Sequence, residues 1–211
     1  MRHYLLKRRL SLKKQSHHDG VFEIVYWAAL VVEMVIRAPL NKKRKEEKMS
    51  EQRVSTQEKF ILFLLLIGMM TLPLIYSATS WLAFADYTLP TWAGWLGTLI
   101  MIGALFVFWR SHADLGLNWS PSLEIRDKHE LITRGIYGAI RHPMYASQWL
   151  WVIAQPLLLQ NWVAGLVNLI IFIPFYLLRV QAEEQMMVDR FGEQYKTYME
   201  RTGRVLPKIG P

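Results

Sequence analysis

The sequence predicts an all-α, polytopic membrane protein with about five transmembrane helices, and three observations carry that prediction. Hydrophobic residues fill 52% of the 211 positions and nine Trp are among them, with a positive mean hydropathy of +0.13; indole rings favour the bilayer interface. Long stretches lack any charged residue. Lys and Arg come instead in short bursts between the apolar runs, where they suit anionic lipid headgroups. A formal net charge of +8 does not imply nucleic acid, because no aromatic-basic interleaving or docking motif accompanies it. The absence of Cys excludes disulfides, thiolate zinc sites and a cysteine nucleophile.

Residues 1–20 form a basic arm, MRHYLLKRRLSLKK at its start. RRLSLK is only faintly similar to a twin-arginine signal, and the glutamates and missing small-residue cleavage site downstream argue against one. The remainder, 21–211, reads as one membrane domain. Residues 21–40 are apolar but carry Glu23, Glu33 and Arg37; Glu33 and Arg37 stand one helical turn apart, so they can pair and lower the cost of burial in a first span.

The stretches between Lys59 and Asp86 and between Asp86 and Arg110 are uncharged, and each supplies the roughly 20 residues that a spanning helix needs. From Pro143 to Leu178 there are 36 uncharged positions. One helix of that length would reach about 54 Å against a hydrocarbon core of about 30 Å, so it must fold back. Gln160-Asn161 is the polar break, which makes spans four and five. Pro156 and Pro174 then lie inside helices, where a neighbouring helix or a kink must satisfy the carbonyls they free.

Orientation follows from the basic connections: 37–59, 110–141 and the tail after Leu178 are rich in Lys and Arg, whereas 78–90 and the Gln160-Asn161 turn have none. This places the former group in the cytoplasm. Five spans would then export the basic N-terminal arm against the same rule, unless the first segment lies along the surface or the true start is further downstream.

Function is expected on the face built from 110–142 and 179–211. In HELITRGIYGAIRHPMY, residues 129–145, Pro143 suits the first helical position and His142 the cap before it, so span four begins there. A helix N-terminus attracts anions. Gly135 and Gly138 let the preceding backbone turn tightly, delivering Tyr137, Arg141, His142 and Tyr145 to one point at the membrane edge. The bland alternative is an interfacial anchor. Where span five leaves the bilayer, Arg179 and Glu183 share a helix face and Glu184 points elsewhere. Arg179 is the first charge after the long apolar run, and its planar guanidinium suits a carboxylate; Glu183 could accept hydrogen bonds from a ribose diol. Met186, Met187, Phe191, Tyr195 and Tyr198 could cover a ligand or form an ordinary packing stripe. His3, His17, His18 and His112 lack metal-ligand spacing and read as surface residues, so no metal site is expected.

The pattern HELIT-x-G-x-Y-x₃-RHPMY, followed about 35 residues later by R-x₃-EE-x₆-FG-x₂-Y-x₂-Y and a Leu-Pro, resembles the isoprenylcysteine carboxyl methyltransferase family and its phospholipid-methyltransferase relatives. The similarity spans about residues 91–207, and five spans resemble the short prokaryotic members. It implies an all-helical enzyme of the inner membrane that binds S-adenosyl-L-methionine at the cytoplasmic face, in a pocket between the loop before span four and the C-terminal helix. Methyl transfer to a lipophilic, carboxylate-bearing acceptor, either a small molecule or a lipidated one, would follow from the resemblance. By the same resemblance, the backbone at His129, Glu130, Leu131 and Ile132 holds the adenine. Tyr137, His142, Pro143, Met144 and Tyr145 surround the methionine part and sulfonium, Glu183 binds the nucleoside, and Arg179 orients the acceptor carboxylate. A carboxylate acceptor needs no base; for a phenol, thiol or amine, His142 is the nearest candidate. SPSLEIRDK, upstream of His129, matches the family pattern only loosely, so Ser122 and Glu124 are not carried over. Two other classes stay open: a nicotinamide-dependent reductase, since sterol reductases resemble the family in their C-terminal half, and a non-enzymatic membrane protein. Acceptor identity and oligomeric state are left open.

Overall fold

Seven helices and one short ribbon organise the computed structural model, which describes residues 20–39, 49–52, 56–116, 124–126 and 131–208. The basic arm up to residue 19, with His3, His17 and His18, lies outside the described residues, as do His129 and Glu130. The helices are α1 (residues 20–39), α2 (Thr56–Leu66), α3 (Leu72–Ala78), α4 (Thr91–Leu115), α5 (Pro143–Leu159), α6 (Trp162–Phe191) and α7 (Glu193–Arg201). A wider helical turn, Ile67–Thr71, joins α2 to α3 without a break, so Lys59–Ala78 is one apolar rod of 20 residues.

Among the described residues, three helices are long and apolar enough to cross a membrane: Lys59–Ala78, α4 and α6. α1 carries three charges and α5 has 17 residues, so neither meets that standard, yet both are packed into the bundle. Phe22, Tyr26, Ala29 and Leu30 of α1 join Met101 and Ala104 of α4 and Trp151, Ala154 and Leu158 of α5 in the main buried core. Close approach of α1 to α4 needs Gly94, because a Cβ there would lie 2.2 Å from the Phe22 ring. Outward positions on α4, including Trp92, Trp95, Leu99, Ile102, Phe106 and Trp109, are exposed, the pattern of an apolar surface that faces lipid.

The fold-back between α5 and α6 occurs where the polar break predicts it. Gln160 takes the left-handed conformation (φ 47°), and the Asn161 side chain caps α6 by accepting from the Val163 and Ala164 N–H groups. The same two residues clasp the 78–90 connection: the Tyr87 N–H donates to the Gln160 carbonyl and Asn161 Nδ2 donates to Asp86 Oδ1 at 2.7 Å. At the other end, Met49–Gln52 pairs antiparallel with Glu124–Arg126. Charge-poor connections therefore meet one another at one face and the basic connections meet at the opposite face.

Amide groups inside the bundle find partners, as hydrocarbon surroundings require. Gln155 of α5 donates to the Gly68 carbonyl at 2.9 Å and the Ala164 carbonyl at 2.6 Å, and accepts from Asn168 of α6 at 2.8 Å. This knot ties three helices together at the level of the wide turn. α5 and α6 run through Pro156 and Pro174 without ending.

Candidate functional site

Two chain segments build the site: the loop that leads into α5, and the end of α6 with α7 behind it. Pro143 is the first residue of α5, as its fixed φ and missing N–H favour. His142 precedes it at the capping position, but its ring makes no capping hydrogen bond. His142 is thus the N-cap residue, as the sequence leads one to expect. The ring is turned instead toward two carboxylates, with Nε2 3.3 Å from Glu184 Oε1 and Nδ1 3.8 Å from Glu183 Oε1.

Asp114, at the end of α4, fixes the loop. Its Oδ2 accepts the Ile136 N–H at 2.8 Å, and its other contacts hold Arg110. Gly135 makes this possible: it sits at φ 62°, and a Cβ would come 2.2 Å from Asp114 Oδ2, a conformation that L side chains adopt only with strain. Tyr137 is thereby presented inward and buried, its backbone carbonyl accepting from the Tyr198 hydroxyl of α7 at 2.6 Å. Burial pushes the Tyr137 phenol well above its usual range and the Tyr198 phenol up to about 12. Both therefore stay neutral donors at ordinary pH.

On α6, Arg179 is buried with its guanidinium over the Phe175 ring, 5.4 Å from the centroid. One turn on, Glu183 Oε2 accepts from the Tyr145 hydroxyl at 2.8 Å, so the start of α5 and the end of α6 touch directly. Glu184 does point to another face, and that face is the interior. It is 5% exposed and collects Arg141 Nε and Nη2, both at 3.1 Å, and Arg204 Nη2 at 2.7 Å, besides His142. The bond to Glu184 raises the pKa of the Arg204 guanidinium. Arg141 also donates to the Thr202 and Met199 carbonyls. The Arg141 and His142 N–H groups donate to the carbonyls of Gly203 and Arg204 at 2.8 Å each, so the segment after α7 runs as a strap beside the loop.

A cavity of about 440 Å³ opens at this junction. Leu131, Ile132, Tyr137, His142, Pro143, Met144, Tyr145, Arg179 and Glu183 all line it. Those are every expected site residue except His129 and Glu130, which fall outside the described residues. Met186, Met187, Tyr195 and Tyr198 close one side and Phe191 does not contribute. The cavity continues between α2 and α6 past Leu62, Met69 and Phe172, and α1 adds Glu33 and Arg37 to its wall. Their spacing in the sequence predicts that these last two can pair, and they stand 3.3 Å apart, but it carries no signal that they reach the cavity. His112 also differs from expectation: it is 2% exposed within α4, with Nδ1 2.9 Å from the Phe108 carbonyl, rather than on the surface. Among the described residues no group of three His, Asp or Glu is arranged to hold a metal ion.

The residues present suit a sulfonium nucleoside. Aromatic rings at Tyr137 and Tyr145 can face a cationic sulfur, a carboxylate at Glu183 can accept from a diol, and the volume lies in the range of small-molecule sites.

Residues 95–189 match the model of the Isoprenylcysteine carboxyl methyltransferase (ICMT) family. Similar proteins include protein-S-isoprenylcysteine O-methyltransferases of Schizosaccharomyces pombe, 33% identical over 81 residues (38% of this chain and 34% of that protein), and of Mus musculus, 30% over 126 residues (56% and 43%). The Homo sapiens protein of the same name is 27% identical over 144 residues, 64% of this chain and 51% of its own length. The chain thus spans about a third to a half of these curated relatives. A solved structure of the eukaryotic intramembrane Ras methyltransferase ICMT aligns with TM-score 0.47 and 22% identity, covering 74% of this chain and 55% of that one. Tyr137, His142, Tyr145, Arg179 and Glu183 all fall within the stretch that is similar to the isoprenylcysteine carboxyl methyltransferase family.

Proposed function

We propose that this protein transfers a methyl group from S-adenosyl-L-methionine to a carboxylate on a lipophilic acceptor at the cytoplasmic membrane face. The observation that carries the reading is the 2.8 Å contact of Tyr145 with Glu183 at the wall of a cavity that is polar at the loop and apolar between α2 and α6. Such a shape suits two ligands that arrive from different phases, a water-soluble cofactor from the loop side and a greasy acceptor from between the helices. The cofactor would supply an electrophilic methyl on a sulfonium.

The chain's own residues then have separable tasks. Backbone at Leu131 and Ile132, with His129 and Glu130, holds the adenine, and Glu183 accepts from the ribose hydroxyls. Tyr137, His142, Pro143, Met144 and Tyr145 enclose the methionine part, the two rings facing the sulfonium charge. Arg179 holds the acceptor carboxylate by charge-assisted hydrogen bonds. An ionised carboxylate needs no general base, so catalysis comes mainly from alignment and from a site that excludes water. His142 would act as base only toward a protonated nucleophile.

Protein in lipid nanodiscs should bind S-adenosylhomocysteine with saturable heat, and membranes given methyl-labelled cofactor should yield a base-labile labelled lipid or lipidated product. Binding of NADPH with no heat from S-adenosylhomocysteine would replace this reading with the reductase.

A further inference from the structure

The strap that follows α7 doubles back into a tight hook. A Cβ on Gly203 would lie 1.8 Å from the Leu206 carbonyl oxygen and 3.1 Å from the Lys208 backbone nitrogen, and Lys208 Nζ donates to the Glu200 carbonyl. Val205 packs against the buried cluster of Tyr145, Val152, Phe172, Phe175 and Val180 in α5 and α6. Arg141 and His142, whose N–H groups bond the strap backbone, stand immediately before the 36 uncharged residues that begin at Pro143. The hook therefore lies where the apolar surface of the bundle gives way to charge, which is the headgroup level of a bilayer.

The inward side of the hook is taken up by the protein. The Gly203 and Arg204 carbonyls hold the loop, and Arg204 Nε and Nη2 donate to Glu184. The outward side is not taken up. Leu206 is 75% exposed, Arg201, Arg204 and Lys208 are exposed around it, and residues 201–208 carry three cations and no acid. A leucine among cations at headgroup level fits an anionic phospholipid, because the apolar side chain can enter the acyl boundary while the cations meet phosphates. A soluble acidic partner would answer the charge and leave Leu206 in water, and a second copy of the chain would oppose like charges.

We infer that this hook is a binding site for anionic phospholipid headgroups, and that a seated lipid holds the loop before α5 closed through the two backbone bonds. Arg204, whose side chain is 48% exposed, takes part on both sides. The order of the cavity's rim thus depends on the membrane surface beside it, whichever reaction the cavity carries. One Lys or Arg leaving an anionic surface shifts a closed-to-open ratio about fivefold. Glu184 offsets Arg204, and Glu200 offsets one of Arg201 and Lys208, so about that much is expected from the hook as a whole.

Hydrogen exchange of the Arg141 and His142 amides in the full chain reads this lock directly, in nanodiscs of phosphatidylcholine alone and with phosphatidylglycerol added. Phosphatidylglycerol should raise their protection about fivefold more in wild type than in the double variant Arg201→Gln with Lys208→Gln, which corrects for the lower pH at any anionic surface. A difference under about twofold overturns the inference. Inorganic phosphate that gives the same protection in phosphatidylcholine discs overturns it too, as an anion site with no membrane role. Because the chain has no Cys, Leu206→Cys can carry a single bimane fluorophore. A nitroxide high on a lipid acyl chain should quench it more than one at the chain end, and no quenching by either would place Leu206 off the membrane and overturn the site. Both substituted cations are exposed, so the double variant should melt within about 2 °C of wild type in phosphatidylcholine; should it not, Lys208→Gln alone takes its place in the same comparison.

Discussion

Replacing Glu184 by Ala should unfold the protein at a much lower temperature, although Glu184 is assigned no contact with either ligand. The carboxylate is the common acceptor for Arg141, His142 and Arg204. Its removal strands Arg141 and His142, whose side chains are 7% and 4% exposed. Breaking a buried charged pair by deleting one partner costs about 3–5 kcal/mol. Arg204 is 48% exposed, so its pair adds no more than about 1 kcal/mol. Arg141 keeps the Met199 and Thr202 carbonyls, which argues for the lower end, about 3 kcal/mol. At about 2–4 °C per kcal/mol for a chain of this size, Tm should fall by about 6–12 °C. Nine Trp make intrinsic fluorescence of the detergent-solubilised protein a direct readout. Glu183→Ala is the matched control, since that side chain is 33% exposed and its loss should weaken S-adenosylhomocysteine binding while moving Tm by under about 2 °C. A Glu184→Ala transition within about 2 °C of wild type would refute the view that this carboxylate holds the face together.

Gly135→Ala should cost about 1–3 kcal/mol, because the residue sits at φ 62° with Asp114 Oδ2 2.2 Å from the new Cβ. Thermal scans of Gly135→Ala, Asp114→Ala and the double variant should show less than additive losses; strict additivity would mean that the two residues do not act on each other. The buried Tyr198 phenol, pushed up to about 12, holds its proton in the folded protein where the unfolded chain gives it up near pH 10. Between those values the native state binds more protons, so stability falls as pH rises. Alkaline titration monitored by fluorescence should show a shallower decline in Tyr198→Phe than in wild type.

Local chemistry is what the sequence conveyed best. Uncharged length located the rods that become Lys59–Ala78, α4, α5 and α6, and Pro143 and Gln160-Asn161 marked where α5 starts and where the chain doubles back. The two-part signature brought Tyr145 and Glu183 together across 38 residues, something periodicity alone could not do. Long-range partners were harder to see. Helical spacing says only that Glu184 points away from Glu183, and what it meets there is hidden because its partners, Arg141 and Arg204, lie 43 and 20 residues away. His112 reads as surface for want of ligand spacing, but its Nδ1 lies within hydrogen-bond distance of a carbonyl of its own helix, and burial by packed neighbours leaves no mark in spacing. Glu33 and Arg37 were visible as a pair, while the turn of α1 toward the cavity depends on how Phe22 meets Gly94. The wide turn at Ile67–Thr71 has no local signature in IGMMT.

The strap after α7 bears on how this protein matures. Two backbone hydrogen bonds join Arg141 and His142 to Gly203 and Arg204, so the loop cannot be locked until the ribosome has passed residue 204. Every helix precedes that residue in the chain. Packing of the helices and closure of the loop are consequently separable, and a released chain cut after α7 would keep every helix yet lack the two bonds that lock the loop.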